Sequence, residues 1–334
     1  MDVLDTELGD LDDYYTVNLP ESQWTSIDKW FGDNVSLTSL VMTEQNKIKK
    51  TIEKGRRKNI RTGIPTVDVM INGLFPGEVL YIGNTEENCS NAFGLNIVKN
   101  FAIEKNKKLQ IFNCGRGEYS YARGILSLCS GIDECELLIG ENLSEDELDI
   151  IEECVEKIQK SNISINSSPN IAVEDICDNI TILEPKEYPE LILVDNLCFV
   201  TTKKKSKNKS QEYRIVSQKL WKLAKDTKIP IVILGPLSKQ RSKMKNYHPT
   251  AKDMPAENML ESFDKILMVH RDANEKNKEI IKVTSVKNPD GKYGFRMLRF
   301  DKYCYELNEL NVGVKRNKKL EWYNINRVDN PKKI

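Results

Sequence analysis

The chain is poor in histidine, in paired cysteines and in long apolar runs, and each shortage closes off a class of function. Only His248 and His270 occur in 334 residues, so a zinc site built on imidazole is not expected. The eight cysteines, at 89, 114, 129, 135, 154, 177, 198 and 304, contain no C-x-x-C pair and fall mostly inside apolar runs. They read as buried, reduced thiols of a cytosolic protein. No stretch approaches the roughly 18 apolar residues of a membrane span, and no charged-then-apolar leader is recognisable. Neither membrane insertion nor secretion is therefore expected. Net charge is lacking too: 50 Lys and Arg balance 50 Asp and Glu, which argues against a chain dominated by a polyanionic partner.

The absence with the largest consequence is local. Gly77 to Gly83 reads as a turn feeding a buried strand, and Ala92 to Glu104 sets Phe93, Ile97, Phe101 and Ala102 at helical spacing. A phosphate-binding loop belongs between two such elements, yet residues 84–91 are Asn-Thr-Glu-Glu-Asn-Cys-Ser-Asn. In G-x-x-x-x-G-K-[ST], glycines let backbone N–H groups approach phosphate, the lysine reaches the outer phosphates and the hydroxyl holds the metal. Here Asn84 stands at the first glycine, and Cys89, Ser90 and Asn91 at the second glycine, the lysine and the Ser/Thr. Ser90 removes one positive charge, and Glu86 and Glu87 add two negative ones. Unit charges about 4 Å apart interact by roughly 4 kcal/mol at an effective dielectric of about 20, so the site should disfavour nucleotide. No cofactor is expected on this reading. Cys89, near a helix N-terminus, could have a lowered thiol pKa, but no base or acid partner is identifiable, so nucleophilic catalysis is not expected.

From Arg61 onward short apolar strands alternate with amphipathic helices, the pattern of a mostly parallel sheet covered on both faces. Strands are expected at 79–83, 109–113, 191–195, 230–234 and 265–269. Helices are expected near 92–104, 118–129, 144–160, 172–179 and 211–226. Beyond residue 270 the period changes to two, in Ile280–Val283 and Phe295–Phe300, which predicts an antiparallel extension at the sheet edge. Four segments follow: an acidic arm over 1–40, a basic helix over 41–60, the α/β domain over 61–310 and a basic tail over 311–334. The first 34 residues carry nine acidic side chains against Lys29, with Trp24, Trp30 and Phe31 among them. Such an arm could dock a partner, form a local cap, fold back on the basic segment or remain a solvated tail. Residues 203–210 form a low-complexity, mobile loop, and the tail sets Lys and Arg around Trp322 and Tyr323, a mixture suited to bases and phosphates.

The order of motifs resembles the C-terminal motor domain of the replicative hexameric helicases of the DnaB family. Thr62–Asp68 and Asn72–Gly77 resemble the segment leading into that family's first strand. Glu190–Asn196 resembles its Walker B strand, with Asp195 at the metal-linked carboxylate. Val216–Lys225 followed by Ile229–Leu234 is similar to its helix and strand before the nucleotide-sensing loop, and Asp253–Asp272 resembles its DNA-loop region. The resemblance covers about residues 60 to 305 and implies a RecA-like fold. Against that pattern the chemical positions are altered in turn. The water-polarising glutamate falls on Gly115, with Glu118 three residues on; the sensor glutamine falls on Pro236; the DNA-loop Arg and Gly fall near Pro255 and Asn258. The two positions that reach a neighbouring subunit fall on Ser285 and Lys287, and Lys287 keeps a charge without arginine's planar fork. Asp195 serves equally as an acid ending a buried strand.

Phosphoryl transfer is catalysed by positioning and electrostatic stabilisation, so losing the lysine, the acid and the finger together should remove most of the rate enhancement. The expectation is a helicase-like protein without ATPase activity, found in the cytoplasm with DNA and acting as a scaffold or accessory subunit of replication. Its partners would be replication proteins, an active helicase or its own copies. Residues 41–58 resemble the linker helix by which family members grasp the adjacent protomer. One alternative is an active helicase or translocase, using ATP and Mg through a divergent P-loop. Asp195, the loop lysines Lys203, Lys204, Lys205, Lys207 and Lys209, and Lys239, Arg241, Lys243 and Lys245 in a channel-facing segment favour it. Another is a single-strand nucleic-acid-binding module using the same cations, for which an ordinary solvated loop is the plainer explanation.

Overall fold

The computed structural model describes residues 36–54, 59–85, 87–238, 249–256, 258–271, 277, 279–289, 291, 293–310, 313–316 and 319–322. The chain divides into two compact units, Met1–Lys58 and Asn59–Ile334. In the first, α1 spans Leu37–Lys54; it begins four residues before the expected basic helix, inside the segment assigned to the acidic arm. Residues 1–35 of that arm lie outside the described residues.

The second unit is built on a nine-stranded sheet. Its parallel part has the order β3 (Ile163–Asn166), β2 (Leu109–Asn113), β4 (Leu191–Asp195), β5 (Ile231–Pro236), β1 (Val79–Asn84), β6 (Lys265–His270). An antiparallel extension follows, of β7 (Ile280–Lys287), β8 (Gly294–Phe300) and β9 (Leu307–Glu309). Every residue of β1, β4 and β6 is buried, as apolar runs without alternation require when helices cover both faces. One face packs against α2 (Pro65–Ile71), α3 (Glu87–Ile97) with its π-helical continuation Val98–Ile103, and α4 (Glu118–Ser130). The other carries α7 (Val173–Thr181) and α8 (Lys209–Thr227). Two further helices, α5 (Glu134–Ile139) and α6 (Glu145–Gln159), lie between β2 and β3.

The α/β architecture with its antiparallel extension is the expected one, and β1, β2, β4, β5 and β6 lie within two residues of their expected bounds. The elements not expected were α2, β3, α5, β9, and an antiparallel hairpin of β10 (Gly313–Arg316) and β11 (Lys319–Trp322) inside the basic tail. Among the described residues no helix is long and apolar enough to cross a membrane. All eight cysteines are free thiols, but burial holds only for Cys89, Cys114 and Cys154; Cys129, Cys177, Cys198 and Cys304 are half-buried, and Cys135 is exposed because it sits in the first turn of the solvent-facing α5.

Candidate nucleotide and DNA-binding site

In an open parallel sheet, ligands bind beyond the carboxyl ends of the strands. At that edge β1 ends on Asn84, which is buried. Its Nδ2 donates to Gly235 O at 3.1 Å and its own carbonyl accepts from Leu237 N at 2.8 Å. The side-chain NH2 and the backbone carbonyl of Asn84 are thus both engaged by β5 and the residue that follows it. Helix α3 then starts at Glu87, five residues earlier than its apolar spacing predicts. An acidic residue in a first helical turn is favoured by the helix dipole, and no glycine interrupts the turn.

The consequence falls on the three altered motif positions, which lie inside the helix. Cys89 and Ser90 are 3% and 1% exposed, and Asn91 is half-buried. The Ser90 hydroxyl faces inward and has no hydrogen-bond partner among the described residues. At the position of a phosphate-reaching lysine there is therefore a short, buried side chain.

Asp195 ends β4 and is 5% exposed. Gly94 of α3 makes room for it: a Cβ there would lie 3.0 Å from Asp195 Oδ2. Burial first, and the Asp195 charge second, push the Cys114 thiol up to about 12, and the same two causes raise the Tyr121 hydroxyl well above its ordinary range. Asn113, the register partner of Asp195 on β2, donates to Arg116 O at 2.7 Å and Ser167 Oγ at 3.2 Å.

Gly115, at the position of the water-polarising acid, lies under the Phe199 ring; a Cβ on it would come within 2.3 Å of that ring. Glu118 begins α4 and is exposed. Pro236 ends β5, where its carbonyl accepts from the Tyr81 hydroxyl at 2.6 Å.

The structure therefore gathers Asn84, Cys89, Ser90, Asn91 and Asp195 at one end of the sheet. Lys287 does not join them. It pairs with Ile266 near the start of β6, and its ammonium donates to the carbonyls of Leu260 at 2.8 Å and Phe263 at 2.6 Å. It is a tether within its own chain. Ser285 is buried. Asn258 adopts φ 63°, a left-handed conformation that asparagine tolerates better than most residues, so the backbone suited to a glycine survives there.

Of the basic candidates, Lys203 is paired with Asp175 at 2.7 Å and Asp178 at 3.8 Å, and Lys209 with Glu212 at 2.6 Å while lying over the Tyr213 ring. Lys204, Lys205 and Lys207 are exposed. The loop is fastened at both ends, by Lys203 N donating to Glu174 and Lys207 N donating to Gln211. Lys239, Arg241, Lys243 and Lys245 lie outside the described residues. The sequence reading missed a cluster in which Arg116 and Arg123 converge on Glu134 at 2.5 and 3.6 Å, with the Tyr305 hydroxyl donating to the same carboxylate. The 171 residues between Glu134 and Tyr305 left no local signal of it.

Comparison with known proteins agrees with this architecture. The model of the DnaB-like helicase C terminal domain matches residues 59–309. The replicative DNA helicase DnaC of Bacillus subtilis (strain 168) is 26% identical over 269 residues, covering 79% of this chain and 59% of that protein. A probable plasmid replicative DNA helicase of Chlamydia psittaci is 25% identical over 244 residues, covering 72% and 53%. The chain thus spans between about a half and three fifths of the length of these curated relatives. Among solved structures, one described as an ATPase domain superposes with a TM-score of 0.75 at 19% identity, covering 83% of this chain and 100% of that one. A DnaB-like replicative helicase, described with its interactions with primase, gives 0.74 at 18%, covering 83% and 68%. The fold is RecA-like, and the chain belongs to the DnaB-like helicase C-terminal domain family.

Proposed function

We propose that this protein is a member of its family that has kept the packing surfaces of the motor and given up its phosphate chemistry, serving DNA replication as a scaffold or accessory subunit. The observation that carries this is the start of α3 at Glu87 with Ser90 buried at the lysine position. Gly115 beneath Phe199 and Pro236 at the sensor position support the same reading. The catalytic acid would have no room, and a proline offers no N–H to a phosphate.

Assembly with like chains fits two surfaces. Helix α1 has a net positive sequence and exposes Leu37, Leu40, Val41, Met42 and Ile48. Residues 131–156, which contain α5 and all but the last three residues of α6, hold eleven Asp and Glu and no Lys or Arg, and expose Leu138, Ile139 and Leu148. A basic apolar helix and an acidic apolar face are complementary, so α1 of one copy is assigned to this face of the next.

The test is a pair of measurements on the full chain: ATP hydrolysis with single-stranded DNA and magnesium, and the thermal shift on adding nucleotide. Neither is expected to rise above background. The preserved, buried Asp195 favours the second reading, an active helicase with a divergent P-loop; ATP-dependent strand displacement would establish it. Under that reading, replacing Lys204, Lys205 and Lys207 together by alanine lowers DNA affinity and its salt dependence.

A further inference from the structure

The second core cluster takes Ile266 and Met268 from β6 and reaches only Val286 of β7 at its margin. Beyond it, on the same side of the sheet, Ile280, Lys282 and Thr284 of β7 stand directly opposite Arg299, Met297 and Phe295 of β8. Residues opposite each other in an antiparallel pair share a face, and all six are exposed or half-buried. Phe295 is 48% exposed, and Lys282 Nζ lies 5.3 Å from its ring centroid. Arg299 is held loosely, its side chain 55% exposed and 3.6 Å from an equally open Glu279. The face therefore combines an open aromatic ring, a cation drawn over it and a second cation about two strand residues further along.

Surfaces that bind single-stranded nucleic acid are built this way, with aromatic rings on which bases stack and Lys or Arg following the phosphates. Alternate residues along a strand are about 6.6–6.8 Å apart, so Phe295, Met297 and Arg299 present a ring, an apolar contact and a charge in sequence. We propose that the outward face of β7 and β8 binds single-stranded nucleic acid, a base stacking on Phe295 and the backbone running past Lys282 and Arg299. These residues belong to β7 and β8 and not to the lysine-bearing segments that follow β4 and β5 in sequence, and the surface needs no nucleotide at the altered P-loop position.

Fluorescence anisotropy of labelled oligo(dT), oligo(U) and a duplex with the full-length protein, across a salt series, tests the assignment. Single strands of either sugar are expected to bind, and the duplex more weakly. Phe295→Ala is expected to weaken binding by about 5- to 150-fold, the effect of losing one stacked base, and Phe295→Trp to retain it. Lys282→Ala with Arg299→Ala should reduce the salt slope by roughly 1.4. Phe295 and Arg299 are open to solvent, and an unchanged unfolding midpoint for each variant separates lost contact from lost fold. Absence of single-strand binding, or binding untouched by these changes, overturns the proposal. So does an effect of Phe295→Ala on solution mass in place of affinity, which would make the face a contact between copies of the chain.

Discussion

The two ends of the parallel sheet treat their polar residues in opposite ways. At the amino ends of the strands, three charged groups are each held from more than one side. Lys265, fully buried, donates to Glu78 at 2.6 Å and to Gly73 O at 2.9 Å. Asp264 takes Lys225 at 2.9 Å and Val79 N at 2.8 Å. Asp68 accepts from Thr62 N, Thr62 Oγ1 and Gly63 N at 2.7, 2.9 and 3.0 Å. At the carboxyl ends, Ser90 is buried without such a partner, Gly115 and Pro236 stand where polar groups would act, and Asp195 is enclosed between α3 and Cys114. Buried polar groups in a stable framework are paired, and unpaired ones need another explanation. The amino end is a framework that folding depends on; at the carboxyl end the proposed loss of phosphate chemistry would leave single positions such as Ser90 free of that constraint.

The contrast breaks first at Lys265. Replacing it by methionine leaves Glu78 largely buried without its cation, so stability should fall by about 3–5 kcal/mol, read from urea unfolding; a loss under about 1 kcal/mol would erase the distinction between the two ends. Gly115→Glu sharpens it from the other side. The new side chain collides with Phe199 and should cost about 1–3 kcal/mol while restoring no hydrolysis, and ATP turnover by this variant alone would show that the acid's place had stayed open. Ser90→Ala is smaller still. Removing a hydroxyl that makes no hydrogen bond should change stability by less than about 1 kcal/mol in either direction, and a larger loss on thermal melting would assign that oxygen a partner.

The smallest effect is kinetic. Cys135, exposed on α5, should alkylate first, whereas Cys114, buried and with its thiol pushed up to about 12, should resist until the protein unfolds. Early labelling of Cys114, detected by peptide mass, would place it in an open cleft.

The sheet was legible because β1, β4 and β5 carry the apolar runs Val79–Ile82, Leu191–Val194 and Ile231–Leu234, and α8 because Leu220, Leu223 and Ala224 fall on one face, which Val216 completes in place of the expected Ile215. The edge strand β3 was not, because Ile163-Ser164-Ile165-Asn166 is short and half polar and is fixed by pairing with β2 rather than by its own composition. The start of α3 was misplaced for a related reason. A loop was expected over 84–91 because the motif at that point of the fold is a loop, but without glycines nothing in this sequence opposes helix through residues 87–91. For the site, the altered residues were visible one by one. Two things were not: that Lys287 is tied to Leu260 and Phe263, and that Phe199 closes over Gly115. Both depend on contacts between distant segments, which spacing along the chain does not carry.

The central claim is that the turn between β1 and α3 no longer holds phosphate. Calorimetric titration of the full-length protein with MgATP tests it most directly. No saturable heat is predicted up to physiological nucleotide concentrations, whereas a one-site isotherm in that range, lost on Asp195→Ala, would contradict it.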